Sequence, residues 1–189
     1  MPWKSFDAML TAKGKKNENI AEYLLYMWQI EDLIRACGLD IDRIQQSIID
    51  QYEQPENVKV EIRTWYESLI EMMKLEGVNE KGHIQLNQNV IIELTDLHLR
   101  LMDSPKEQFY TMAYRKVLPL ILELRAKPGG DAYGEIETCL NLLYGVLMLR
   151  LQKKEITAET NLATQLISEF VRLLATKYKQ DKEEGINFD

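Results

Sequence analysis

The sequence predicts an all-α protein: a single-domain antiparallel helical bundle of about six or seven helices, with one proline-bent central helix. Apolar residues recur at intervals of three and four along the long segments, and glycine, proline and capping residues cut those segments into helix-length pieces. The composition, 46% hydrophobic and 28% charged, is that of a chain that folds. Each apolar stripe must be covered, and joints this short favour antiparallel neighbours. At 189 residues one substantial core suffices. The expected layout is an irregular N-terminal arm over 1–16, a bundle over 17–178 and a charged tail over 179–189.

In the arm, Trp3, Phe6, Met9 and Leu10 are placed to cover part of the core. A helix then begins near Asn17, with Tyr23, Tyr26, Met27, Ile30, Leu33, Ile34 and Cys37 as its stripe and Gly38 as its stop. Asp40 can cap a second helix that turns Ile41, Ile44, Ile48 and Ile49 inward. After Pro55 a third carries Val58, Ile62, Trp65, Tyr66, Leu69, Met72 and Met73, ending near Gly77. A linker with Gly82 and His83 leads to V90-IIELTDLHLRLMD-103, where Leu94, Leu97 and Leu101 favour helix over strand.

S104-PKE-107 has the form of a capping box, so the next helix is expected from Pro105 to about Lys127, bent where Pro119 removes a backbone donor. Pro128, Gly129 and Gly130 end it. Asp131 is expected to cap a helix over 132–154 with the stripe Leu140, Leu143, Tyr144, Leu147 and Leu151. Gly145 within it offers room for a close helix crossing. Thr157 caps the last helix, whose stripe is Leu162, Leu166, Ile167, Phe170, Leu173 and Leu174.

The net charge of -7 repels a phosphate backbone, and the runs K13-GKK-16 and Q152-KK-154 are too small to reverse that, so nucleic acid is not an expected partner. Cys37 and Cys139 stand far apart, suggesting neither a disulfide framework nor a thiolate metal site. The N-terminal segment lacks an apolar signal core, and no stretch nears the roughly 18 apolar residues of a membrane span, which points to a cytoplasmic protein without a membrane partner.

Polar residues on the first long helix pose the functional question. Glu31 and Arg35 stand four apart in acid-before-base order, the spacing of a surface ion pair. If that flank borders a pocket, Trp28, Glu31 and Arg35, with His98, are the candidates for binding a small polar ligand. His98 shares a face with Ile91, Leu94, Leu101 and Met102, the company of a packed histidine more than of a general base, while His83 reads as an exposed linker residue. No zinc or di-iron spacing occurs, the glycines of K127-PGGDAYG-134 lack the ending of a phosphate loop, and no cofactor is implied.

The combination N19-IAEYLLYMWQIEDLIRA-36 with Y133-GEIETCLNLLYGVLMLRLQKKEIT-157 resembles an uncharacterised all-helical family of mainly Bacteroidetes proteins, domain of unknown function 4924. The resemblance covers nearly the whole chain. It implies the all-helical fold and a cytoplasmic setting, and supplies no catalytic residues.

The sequence therefore favours a structural or protein-interaction module without catalytic activity, self-associating or binding another protein through apolar and aromatic residues such as Trp28, Trp65, Tyr133 and Tyr144. The alternative is a magnesium-dependent, nucleotide pyrophosphohydrolase-like enzyme. Its metal ligands would be the three-spaced pairs Glu53 with Glu56 and Glu93 with Asp96. Pro55 interrupts the first pair, and no phosphate-binding basic set accompanies them.

Overall fold

The computed structural model describes residues 8–188. Among these the protein is an all-α helical bundle, its α-helices being α1 (Ala8–Glu18), α2 (Ile20–Ala36), α3 (Ile41–Ser47), α4 (Glu56–Leu75), α5 (Gln85–Asp103), α6 (Gln108–Arg125), α7 (Glu135–Leu151) and α8 (Ala158–Glu183). Short 3-10 turns occupy Ile49–Gln51 and Gly130–Ala132. No described helix is long and apolar enough to cross a membrane. The expected core contacts of Trp3, Phe6 and the Leu10 side chain lie outside what is described.

The chain divides into two compact units, one comprising residues to Glu18 with Glu22–Asn89, the other Asn19–Ala21 with Val90–Asp189. In the first unit α1 spans Ala8–Glu18, so the described part of the expected irregular arm is helical. Ala, Met, Leu and Lys are good helix formers, Ala12 is buried, and Lys15 pairs with Glu22 of α2 at 2.9 Å. The stop after α2 behaves as expected, with Gly38 at φ +70°. Asp40 caps α3, accepting from the amides of Asp42 and Arg43. Ile44, Ile49, Ile62, Tyr66 and Met73 are buried in this unit, as the helical period requires.

In the second unit two start signals are used differently from expectation. The Ser104 hydroxyl donates to the Phe188 carbonyl at 2.9 Å and, among the described residues, accepts from the Lys106 amide rather than closing the expected capping box, and α6 starts at Gln108. Glu107, the box's would-be second half, accepts instead from Lys177 on α8 at 2.6 Å. Asp131 sits inside a 3-10 turn rather than at a cap, and α7 begins at Glu135 after Gly134. That turn presses against the end of α6: a Cβ on Gly130 would lie 2.5 Å from the Leu124 carbonyl oxygen.

Gly145 has nothing within 4 Å of a would-be Cβ, so it marks no close crossing. The buried face of α7 is Ile136, Thr138, Cys139, Leu140 and Val146, rotated from the expected stripe and leaving Leu151 exposed. On α8, Thr157 caps as expected, accepting from the Thr160 amide at 3.1 Å. The helix runs to Glu183 because its charged end is braced on α5: Arg100 pairs with Asp181 at 2.8 Å and Lys182 with Glu93 at 3.0 Å.

Candidate functional site

On α2 the residues Leu24, Trp28, Glu31 and Arg35 fall at spacings of four, three and four and form a second row beside the expected stripe. Leu24, Trp28 and Glu31 are buried, and the Arg35 side chain is 14% exposed. Glu31 is therefore no surface strut: its carboxylate is wholly enclosed.

Three groups from the segment leading into α5 satisfy that carboxylate. One oxygen accepts from the Ile84 amide at 3.0 Å and the Asn87 side-chain amide at 2.8 Å, and the other faces His83 Nδ1 at 2.5 Å. Burying an unpaired carboxylate is prohibitive, and three donors are what make the position tolerable. The charge also lies at the N-terminus of α5, where free amides and the helix dipole favour an anion. The Gln85 amide is taken up by Glu76 at 2.5 Å.

Trp28 and Arg35 hold the same segment. The Trp28 indole stacks on the His83 imidazole, with ring centres 4.2 Å apart and planes inclined by 12°. Arg35 donates to the Val78 carbonyl at 3.1 Å and to the Gly82 carbonyl, and pairs with Asp32 at 2.8 Å rather than with Glu31. The loop reaches these donors through positive φ at Gly77 and Gly82, +69° and +87°. The row considered for a ligand thus contacts residues 78–87 of its own chain.

His98 belongs to the second unit and has a different set of partners. It is buried, with Nδ1 at 2.8 Å from the Tyr110 hydroxyl and its ring against Tyr114 and Phe170. Burial lowers its affinity for a proton, while the carboxylate of Glu135 opposes that shift. Glu135 in turn accepts from the Tyr114 hydroxyl at 2.5 Å. Burial, with Glu135 as a smaller cause, pushes the Cys139 thiol up to about 12 and keeps it protonated, the opposite of an activated nucleophile.

The four carboxylates considered for magnesium fall as one pair in each unit. Glu53 and Glu56 are exposed in the first unit, Glu93 and Asp96 are exposed in the second, and Glu93 accepts from Tyr178 at 2.6 Å. Among the described residues no group of three or more His, Cys, Asp or Glu side chains could hold a metal ion.

Sequence reasoning missed His83 and Asn87. Both lie more than fifty positions from Glu31, and no local periodicity announces such a contact. It also placed Leu162 in the core, where the structure leaves it 60% exposed. Leu162 begins an outward row on α8 continued by Leu166, Glu169 and Leu173. On α6, Phe109 (74% exposed), Met112 (59%), Ala113 and Lys116 make a second row. Residues of the two rows line a hollow of about 200 Å³ floored by Val117 and Phe170. The Lys177–Glu107 pair, joining the C-terminal part of α8 to the start of α6, makes these walls antiparallel.

No curated protein and no solved structure matches the chain. The family model Domain of unknown function (DUF4924) matches residues 9–185, so the chain belongs to that uncharacterised, all-helical family.

Proposed function

We propose that this protein is a non-catalytic interaction module whose contact face is the groove between α6 and α8. The observation that carries the reading is the pair of outward apolar rows in the second unit. Scattered exposed apolar residues are ordinary, but these lie at helical spacing on the two walls of one groove, the arrangement of a helix-binding surface. Fully burying a Phe, Leu or Met side chain is worth about 1.5–3 kcal/mol, and Phe109, Met112 and Leu162 each keep more than half of that burial unspent.

The groups that could have suggested chemistry favour the same reading. The Glu31 carboxylate is occupied by Ile84, Asn87 and His83, and His98 Nδ1 by Tyr110. These are contacts of a scaffold whose polar groups hold it together.

A photo-crosslinking amino acid in place of Met112 tests the proposal in living cells, with Glu71, exposed on α4, as the control position. A discrete protein adduct at Met112 and none at Glu71 is expected. Absence of any adduct at Met112, with the chain expressed and folded, overturns the reading.

A further inference from the structure

The walls of the groove carry opposite charges. Lys116 projects from α6 and Glu169 from α8, both line the same hollow, and both are exposed. Among the described residues neither takes part in an ion pair, and Glu169 accepts from the Gln165 side chain of its own helix at 3.4 Å. An apolar floor between a cationic and an anionic wall is complementary to its own copy. A two-fold axis running along the groove lays α6 of one chain over α8 of the other at the same height. Lys116 then faces Glu169 of the partner subunit, the reciprocal pair forms on the other side, and Phe109, Met112 and Leu173 close the centre.

We infer that the occupant of the α6–α8 groove is a second copy of this chain, docked as a two-fold dimer with Lys116 and Glu169 paired across the interface. This rests on the reading of the groove as a contact face and names its partner. The observation favouring self-association over a foreign helix is the balanced charge of the rim, one residue of each sign on opposing walls. A groove built for a strongly acidic or basic segment would carry one sign.

Charge reversal tests it. Wild type, K116E, E169K and the K116E/E169K double variant are compared by light scattering and sedimentation equilibrium, with helix content checked by circular dichroism. The wild type should have twice the chain mass of 22.1 kDa. Each single reversal sets like charges against each other at two symmetry-related places and should weaken the dimer roughly tenfold or more, and the double reversal should restore it.

A monomeric wild type, a dimer indifferent to both reversals, or a double variant as weak as the singles overturns the inference. If a reversed variant loses helix, Met112→Lys replaces it and must be monomeric, and a dimeric Met112→Lys likewise overturns the inference. A monomer that still crosslinks from Met112 to a different protein sinks self-association and leaves the contact face standing. A chain that neither dimerises nor crosslinks removes both.

Discussion

Glu31 and His83, 52 positions apart in sequence, meet at 2.5 Å, with the carboxylate of Glu31 wholly enclosed. The contact fastens the loop before α5 to the middle of α2. Replacing Glu31 with Ala strands the Ile84 amide, the Asn87 side chain and the imidazole together. Breaking a buried charged network by removing one partner costs about 3–5 kcal/mol, and urea unfolding of Glu31→Ala should show a loss of that size. His83→Ala forfeits one hydrogen bond and one ring stack and should cost about 1–3 kcal/mol. A loss under about 1 kcal/mol for Glu31→Ala would mean that the carboxylate does not hold the loop.

Gly130, in the turn before α7, and Gly145, within α7, should respond oppositely to alanine. At Gly130 a Cβ would press 2.5 Å from a backbone oxygen that cannot swing away, so Gly130→Ala should destabilise by about 1–3 kcal/mol. At Gly145, in mid-helix with nothing within 4 Å, alanine should stabilise by about 0.4–1 kcal/mol. Thermal melts of the pair check both signs.

Caps separate in the same way. Thr157→Ala and Asp40→Ala remove side-chain acceptors of first-turn amides and should each cost about 0.5–2 kcal/mol. Asp131→Ala, at an exposed position in the 3-10 turn, should stay within about 0.5 kcal/mol of wild type by urea titration.

His98 sets a pH dependence. Its proton affinity is lowered by burial in the folded chain, whereas the unfolded chain takes the proton near the ordinary value of 6.5. Below that pH the unfolded state binds more protons, so the folded state loses stability as pH falls. Chemical denaturation from about pH 7.5 to about pH 5.5 should show a smaller loss for His98→Gln than for wild type. An equal loss in both would mean that His98 does not titrate differently on folding.

The helices were legible because burying one face of a helix imposes a period on the chain, and Ile62, Tyr66, Leu69 and Met73 follow it closely. Caps at Asp40 and Thr157 were legible for the same local reason. Ser104 and Asp131 were misleading because a capping signal states what a side chain can accept, while Phe188 and the close packing at Gly130 decided what each did. The Glu31 cluster was half visible. The row Trp28–Glu31–Arg35 could be drawn from spacing, but its partners at 78–87 arrive through tertiary folding and leave no mark on the α2 sequence. The groove was hidden for a related reason: Leu162 and Phe109 carry the same apolar character as the core, and only packing shows which side of the helix they occupy.

The most direct measurement is methyl-detected NMR of the eight methionines across a dilution series. If the α6–α8 groove is the contact face between copies, the Met112 methyl signal moves or splits with concentration while those of Met27 and Met73, both buried in the first unit, stay fixed. A Met112 signal that ignores concentration in a sample shown to be associated, or a monomer at every concentration, would contradict it.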